Sequence, residues 1–118
     1  MTLTPEGVSA ARKLSDEPVV VRLPDEIDIC NEEQLRDILT CAVDDGGATV
    51  IVDAASTTFL ACSGVSVLVE AHQRAAAAGA RMRLVATATV VMRVLKLTGA
   101  DRVLDIYPSV TSALADPL

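Results

Sequence analysis

The run Val50-Ile51-Val52 sets the first limit on what this chain can become. Three β-branched residues in succession leave no polar face, so a strand built from them must be covered on both sides. Asp53 closes the run, and a polar turn, Ser56-Thr57-Thr58, follows. Phe59-Leu60 then leads into Ala61-Cys62-Ser63-Gly64 and a helical segment that lasts to Gly79. A strand is thus aimed at the start of a helix, with Ser63 at the junction. A hydroxyl there can accept a bond from an orphan backbone N–H and cap the helix. The same place suits an anion, because a helix N-terminus carries partial positive charge. Ser63 therefore has two readings, a structural cap and a phosphate acceptor.

The strand-then-helix pattern recurs along the chain. After Pro18, Val19-Val20-Val21-Arg22-Leu23 has the composition of a strand, and Pro24-Asp25 turns it. Asn31 is placed to cap a helix, with Gln34 completing a capping box and Glu32 and Glu33 suiting the dipole. Leu35, Ile38, Leu39 and Ala42 put an apolar stripe on that helix, and Asp44-Asp45-Gly46-Gly47 stops it. The helix from about Gly64 to Ala78 has the stripe Val65, Leu68, Val69, His72 and Ala76. Arg81 to Val85 reads as a strand with Met82 and Leu84 on one face. Thr87 or Thr89 caps a third helix with Val90, Val91, Val94 and Leu95 on its apolar side, and Gly99 ends it. Arg102 to Tyr107 is a last strand, and Pro108-Ser109 opens a short final helix.

Four strand–helix repeats make an α/β fold with right-handed crossovers. We expect a four- to five-stranded, mostly parallel mixed sheet with about four helices, mainly on one face. A chain of 118 residues is one domain and cannot cover both faces thickly. The domain spans residues 17–118; residues 1–16, with Pro5 and Gly7, read as a tail or short edge strand.

Chemistry is mostly excluded. Aromatics are 2% of the residues, so the core is aliphatic. The net charge of −6 argues against nucleic acid, which needs a cationic face. No apolar run approaches a membrane span of about 20 residues, and the N-terminus lacks a signal-peptide core. A cytoplasmic protein, monomeric or weakly dimeric, is the expectation. Cys30, Cys41 and Cys62 have no C-x-x-C spacing and read as reduced thiols, with Cys62 notable because a helix N-terminus lowers a thiol pKa. The single histidine, His72, lies on an apolar stripe and reads as a packed, hydrogen-bonded residue, not a metal ligand. Ser63 therefore has no further histidine to act as its base, and no glycine-rich loop cradles a nucleotide. Neither an enzyme, a cofactor nor a metal site is expected.

Three stretches carry a resemblance. Asp53 through Phe59-Leu60-Ala61-Cys62-Ser63-Gly64-Val65-Ser66-Val67-Leu68 resembles the pattern D-x-S-x-x-x-F-[LM]-D-S-S-G-L-G-x-L of bacterial anti-sigma-factor antagonists, which are STAS domains. Asp25-Glu26-Ile27-Asp28 with Asn31 resembles the family's approach to its first helix, and Val94-Leu95-Lys96-Leu97-Thr98-Gly99-Ala100-Asp101 resembles its V-L-x-L-T-G-L-D segment. The resemblance covers roughly Pro18 to Leu114.

It implies a regulatory binding module acting in transcription and stress response. The antagonist binds an anti-sigma factor that is a serine kinase and so frees a sigma factor. Phosphorylation of the serine before the glycine, here Ser63, blocks binding, and a metal-dependent serine phosphatase reverses it. Asp28, Asn31, Cys62, Ser63, Gly64 and Ser66 match positions expected at the partner surface, and Asp53 orients the loop. Two departures stand out: the family's acidic residue is Ala61 here, and the first serine of its pair is Cys62. Ser66 also replaces a common glycine. The competing readings are an interaction subunit with a disused acceptor loop, a thiol-responsive variant of it at Cys62, and a small-ligand or nucleotide-binding domain.

Overall fold

The computed structural model describes residues 18–45 and 49–116. Gly46-Gly47 and the N-terminal stretch read as a tail lie outside the described residues. The elements run β1 (Val19–Arg22), β2 (Glu26–Ile27), α1 (Glu32–Asp45), β3 (Thr49–Asp53), β4 (Phe59–Leu60), α2 (Cys62–Ala77), β5 (Arg81–Val85), α3 (Thr89–Thr98), a 3-10 turn (Ala100–Arg102), β6 (Asp105–Tyr107) and α4 (Val110–Ala115).

Four strands form one sheet in the order β1-β3-β5-β6, every pair parallel. Among the described residues every pairing in this sheet is parallel. Because the order steps in one direction, right-handed crossovers place the connecting helices α1, α2 and α3 on a single face. Val50 and Val52 of β3 stand beside Met82 and Leu84 of β5 and join Leu35, Leu39, Leu68, Val91 and Leu95 in the main core. Ile51 and Val85 point the other way and meet Ala113 of α4 in a small second cluster. That is why the Val50-Ile51-Val52 run has no polar member: all three are fully buried, on two different sides.

Several local readings shift. The buried residues of α2 are Gly64, Val65, Val67, Leu68, Ala71 and Ala75, while Ala76 is exposed. The stripe is rotated toward α1 because α2 packs against α1 as well as the sheet. On α3, Val91 and Leu95 are buried and Met92 and Val94 pack against the core, while Val90 is exposed. His72 is half-buried, and its buried Nδ1 has no hydrogen-bond partner among the described residues, unlike the expectation. The α3 cap position is Ala88, without a side-chain bond, so neither Thr87 nor Thr89 caps. Gly79 and Gly99 follow their helices at φ +78° and +79°, the left-handed geometry that lets a chain leave a helix.

Two further strands lie outside the strand–helix repeats. β2 and β4 pair in parallel as a separate two-stranded ribbon, with Glu26 opposite Phe59 and Ile27 opposite Leu60. Two residues are too few to show a period. In chain order the ribbon strands link β1 to α1 and β3 to α2.

Candidate functional site

The ribbon brings the two notable loops together. Ala61 N–H donates to the Ile27 carbonyl at 2.8 Å, and Thr58 N–H donates to the Asp25 carbonyl at 2.8 Å. Thr57, fully buried, donates its hydroxyl to the Pro24 carbonyl at 2.7 Å. That bond satisfies a hydroxyl that would otherwise be costly to bury. Sequence reasoning missed Thr57 because it stood in a run of polar turn residues. The loop before α1 and the loop before α2 are therefore one braced unit.

Asp28 and Asn31 organise the first loop. Asp28 Oδ1 accepts from the backbone N–H of Cys30 at 2.9 Å and of Asn31 at 3.3 Å. Asn31 Oδ1 accepts from Asp28 N–H at 2.9 Å, and its Nδ2 donates to the Glu26 carbonyl at 2.8 Å. Asn31 thus turns back into its own loop and forms no capping box with Gln34. Asp53 Oδ1 accepts from Ala55 N–H at 3.0 Å, tightening the exit from β3.

Ser63 is not the cap of α2. The cap position is Ala61, with extended backbone and no side-chain bond. Ser63 is the second helical residue, half-buried, between Cys62 and Gly64. Its hydroxyl has no hydrogen-bond partner among the described residues, and the same holds for its backbone N–H and that of Cys62. Gly64 and Val65 N–H both turn to the Ala61 carbonyl, at 2.9 and 3.2 Å. The result is a hydroxyl beside two open donors at the positive end of a helix of 16 residues.

The neighbours divide into surface and support. Cys62 and Ser66 are exposed, and Ser66 Oγ donates weakly to the Cys62 carbonyl at 3.4 Å. All three cysteines carry exposed free thiols. Gly64, expected at a partner surface, is instead buried. A Cβ on it would lie 2.6 Å from Ile27 Cγ2 and 2.9 Å from Leu60 Cδ1. Its glycine character lets α2 sit directly on the ribbon. Beside the site an open groove of about 480 Å³ runs between α2 and the end of α3, with Cys62, Ser66 and Val69 on one wall and Gly99 and Val103 on the other. No cluster of three or more metal-ligating side chains occurs among the described residues. No described helix is long and apolar enough to cross a membrane.

The sequence profile of the STAS domain matches residues 9–113. The chain belongs to the STAS domain family. Among its relatives is a Mycobacterium tuberculosis protein named for anti-anti-sigma activity, Rv2638, 37% identical over 93 residues. That match covers 75% of this chain, which spans only 62% of the relative's length. The anti-sigma-F factor antagonist RsfA of the same species is 29% identical over 102 residues, covering 85% of this chain and 80% of RsfA. The crystal structure of an anti-sigma factor antagonist from Mycobacterium paratuberculosis superposes with a TM-score of 0.77 at 25% identity, covering 85% of each chain. The expected fold class and family are therefore met. Within this STAS domain, Ala61 stands where the family pattern has its carboxylate, and the structure makes that the helix-cap position.

A residue outside the site was also missed. Arg83, in the middle of β5, is only 4% exposed. Its Nη1 donates to the carbonyls of Ala113 at 2.6 Å and Asp116 at 2.7 Å, tying the end of α4 to the sheet. Its guanidinium lies 5.4 Å from the Tyr107 ring centroid. The Tyr107 hydroxyl donates to the Asp116 carboxylate, and that bond, with burial second, holds the Tyr107 pKa above its ordinary value.

Proposed function

We propose that this STAS domain is an anti-sigma-factor antagonist. It binds an anti-sigma factor with serine kinase activity, which frees a sigma factor, and phosphorylation of Ser63 switches it off. A metal-dependent serine phosphatase restores it, and the exchange takes place in the cytoplasm. The relatives named for this activity support the partner class. The observation that carries the switch is the unbonded Ser63 hydroxyl beside two open N–H groups at the start of α2.

The physics is local. A phosphoserine adds about −1.5 to −2 charges. The open N–H groups and the helix dipole accept that charge in the free protein, so the fold persists. A partner packed over Ser63 would have to strip water from a dianion, and binding is lost. Asp28, Asn31, Cys62 and Ser66 border the acceptor, with Asp53 setting the loop behind it. Gly64 acts from below.

Incubation with a purified anti-sigma kinase and ATP, followed by Phos-tag electrophoresis, tests the switch. Wild type shifts and Ser63→Ala does not; equal mobility refutes it. By calorimetry, Ser63→Glu weakens anti-sigma binding. The missing carboxylate at Ala61 favours a second reading, a constitutive subunit, which would show tight binding with no phosphoryl transfer.

A further inference from the structure

The only phenylalanine of the chain stands on the surface. Phe59 lies on β4 opposite Glu26 and leaves 47% of its area exposed, while its neighbour Leu60 is buried. Ile29, two residues past β2, is 76% exposed. Single exposed apolar residues are ordinary. Phe59 stands on the ribbon and Ile29 in the turn that follows β2, and β4 leads directly into the acceptor loop. Ile29 and Ser63 each lie two residues beyond the bond from Ala61 N–H to the Ile27 carbonyl.

The chain segment that carries Ile29 is acidic between Arg22 and Arg36. Asp25, Glu26, Asp28, Glu32 and Glu33 fall within residues 23–35, a stretch without Lys or Arg. Glu32 faces Arg36 at 3.6 Å; Asp25, Glu26 and Glu33 have no ion-pair partner among the described residues. An apolar centre with a charged rim is the anatomy of a protein interface, and aromatic side chains there carry disproportionate binding energy.

The geometry points to the ribbon surface at Phe59 and Ile29 as the anchor of the anti-sigma interface, fitting a partner face with an apolar recess ringed by Lys and Arg. This rests on the antagonist reading above and names what the partner grips. It also sets the sign of the switch. A cationic rim attracts phosphate, so repulsion does not release the partner. Release comes from the dianion's water, which cannot be shed while Ile29 is seated beside it.

The test is biolayer interferometry of the full chain against each purified anti-sigma factor of the source organism, with the Mycobacterium tuberculosis anti-sigma-F factor alongside. Phe59→Ala and Ile29→Ala each weaken binding at least about tenfold, mainly through faster dissociation, with melting temperatures unchanged. Glu26→Gln slows association and flattens its salt dependence. Leu97→Ala, on α3 and 80% exposed, changes nothing. If Phe59→Ala and Ile29→Ala bind like wild type while Ser63→Glu does not bind, the anchor is refuted and the antagonist reading stands. If both weaken binding while Ser63→Glu binds normally, the anchor stands and the switch falls. If wild type binds no anti-sigma factor, both fall.

Discussion

A methyl group at Gly64 should destabilise the protein, although the position is helical. In open helix, Gly→Ala gains about 1 kcal/mol. Here the new Cβ would meet Ile27 Cγ2 at 2.6 Å and Leu60 Cδ1 at 2.9 Å, both inside van der Waals contact. Ile27 and Leu60 are buried at 1% and 3% exposure, and Cγ2 hangs directly on Cβ, so neither can simply swing away. Overpacking of this kind costs roughly 1–3 kcal/mol. The net expectation is a loss of about 1 kcal/mol, or about 4 °C in Tm for a domain of this size. Urea titration followed by circular dichroism measures it, with the m-value checked for constancy. Ile27→Ala supplies the second arm. Alone it costs about 2–5 kcal/mol. In its background the Ile27 Cγ2 clash is gone and only the end of the Leu60 side chain, at 2.9 Å, has to shift, so Gly64→Ala should cost clearly less than in the wild type or become neutral. A favourable coupling in that cycle is the signature of direct contact. If Gly64→Ala instead stabilises the wild type by the full helix gain, α2 does not rest on the ribbon as described.

Other expectations follow from the same structure. Ala61→Asp supplies the missing cap acceptor at the start of α2 and should raise stability by about 1 kcal/mol in denaturant titration. Arg83→Met leaves the Ala113 and Asp116 carbonyls without their donor and should cost about 2–3 kcal/mol, with hydrogen exchange rising first in α4. Tyr107 is the only tyrosine and there is no tryptophan, so phenolate absorbance reads it directly. Its raised pKa means its stabilising contribution is complete below about pH 10, the unfolded value, and is lost as pH rises through the folded one. Asp116→Ala should bring the titration midpoint down toward that ordinary value, and an unmoved midpoint would remove the Asp116 bond as its cause.

What could be read in advance depended on scale. Val50-Ile51-Val52 announced a doubly covered strand because burial on two faces erases alternation, and the structure buries all three. The helices were legible from their spacing, although the face of α2 was misjudged, since α1 and the sheet both claim it. Caps were the weak point. Asn31 has the right side chain for a cap, yet both of its polar ends serve the loop behind it. Ser109, by contrast, accepts from Ser112 N–H at 3.0 Å in a true capping box. Residue type alone does not distinguish these cases. The ribbon was invisible because β2 and β4 have two residues each, and Arg83 was overlooked because, with Arg81 two residues before it, it looks like part of a solvated face. At the site, the motif located Ser63, while its place as second helical residue depended on where α2 begins.

The pairing of β2 with β4 has a consequence for inheritance and for engineering. Segments 24–31 and 56–64 hold one another through main-chain contacts, so neither can be exchanged for a homologue's version by itself without mismatching the seam. A chimera meant to redirect partner choice should carry both segments as a cassette, with the parallel sheet left as a passive chassis.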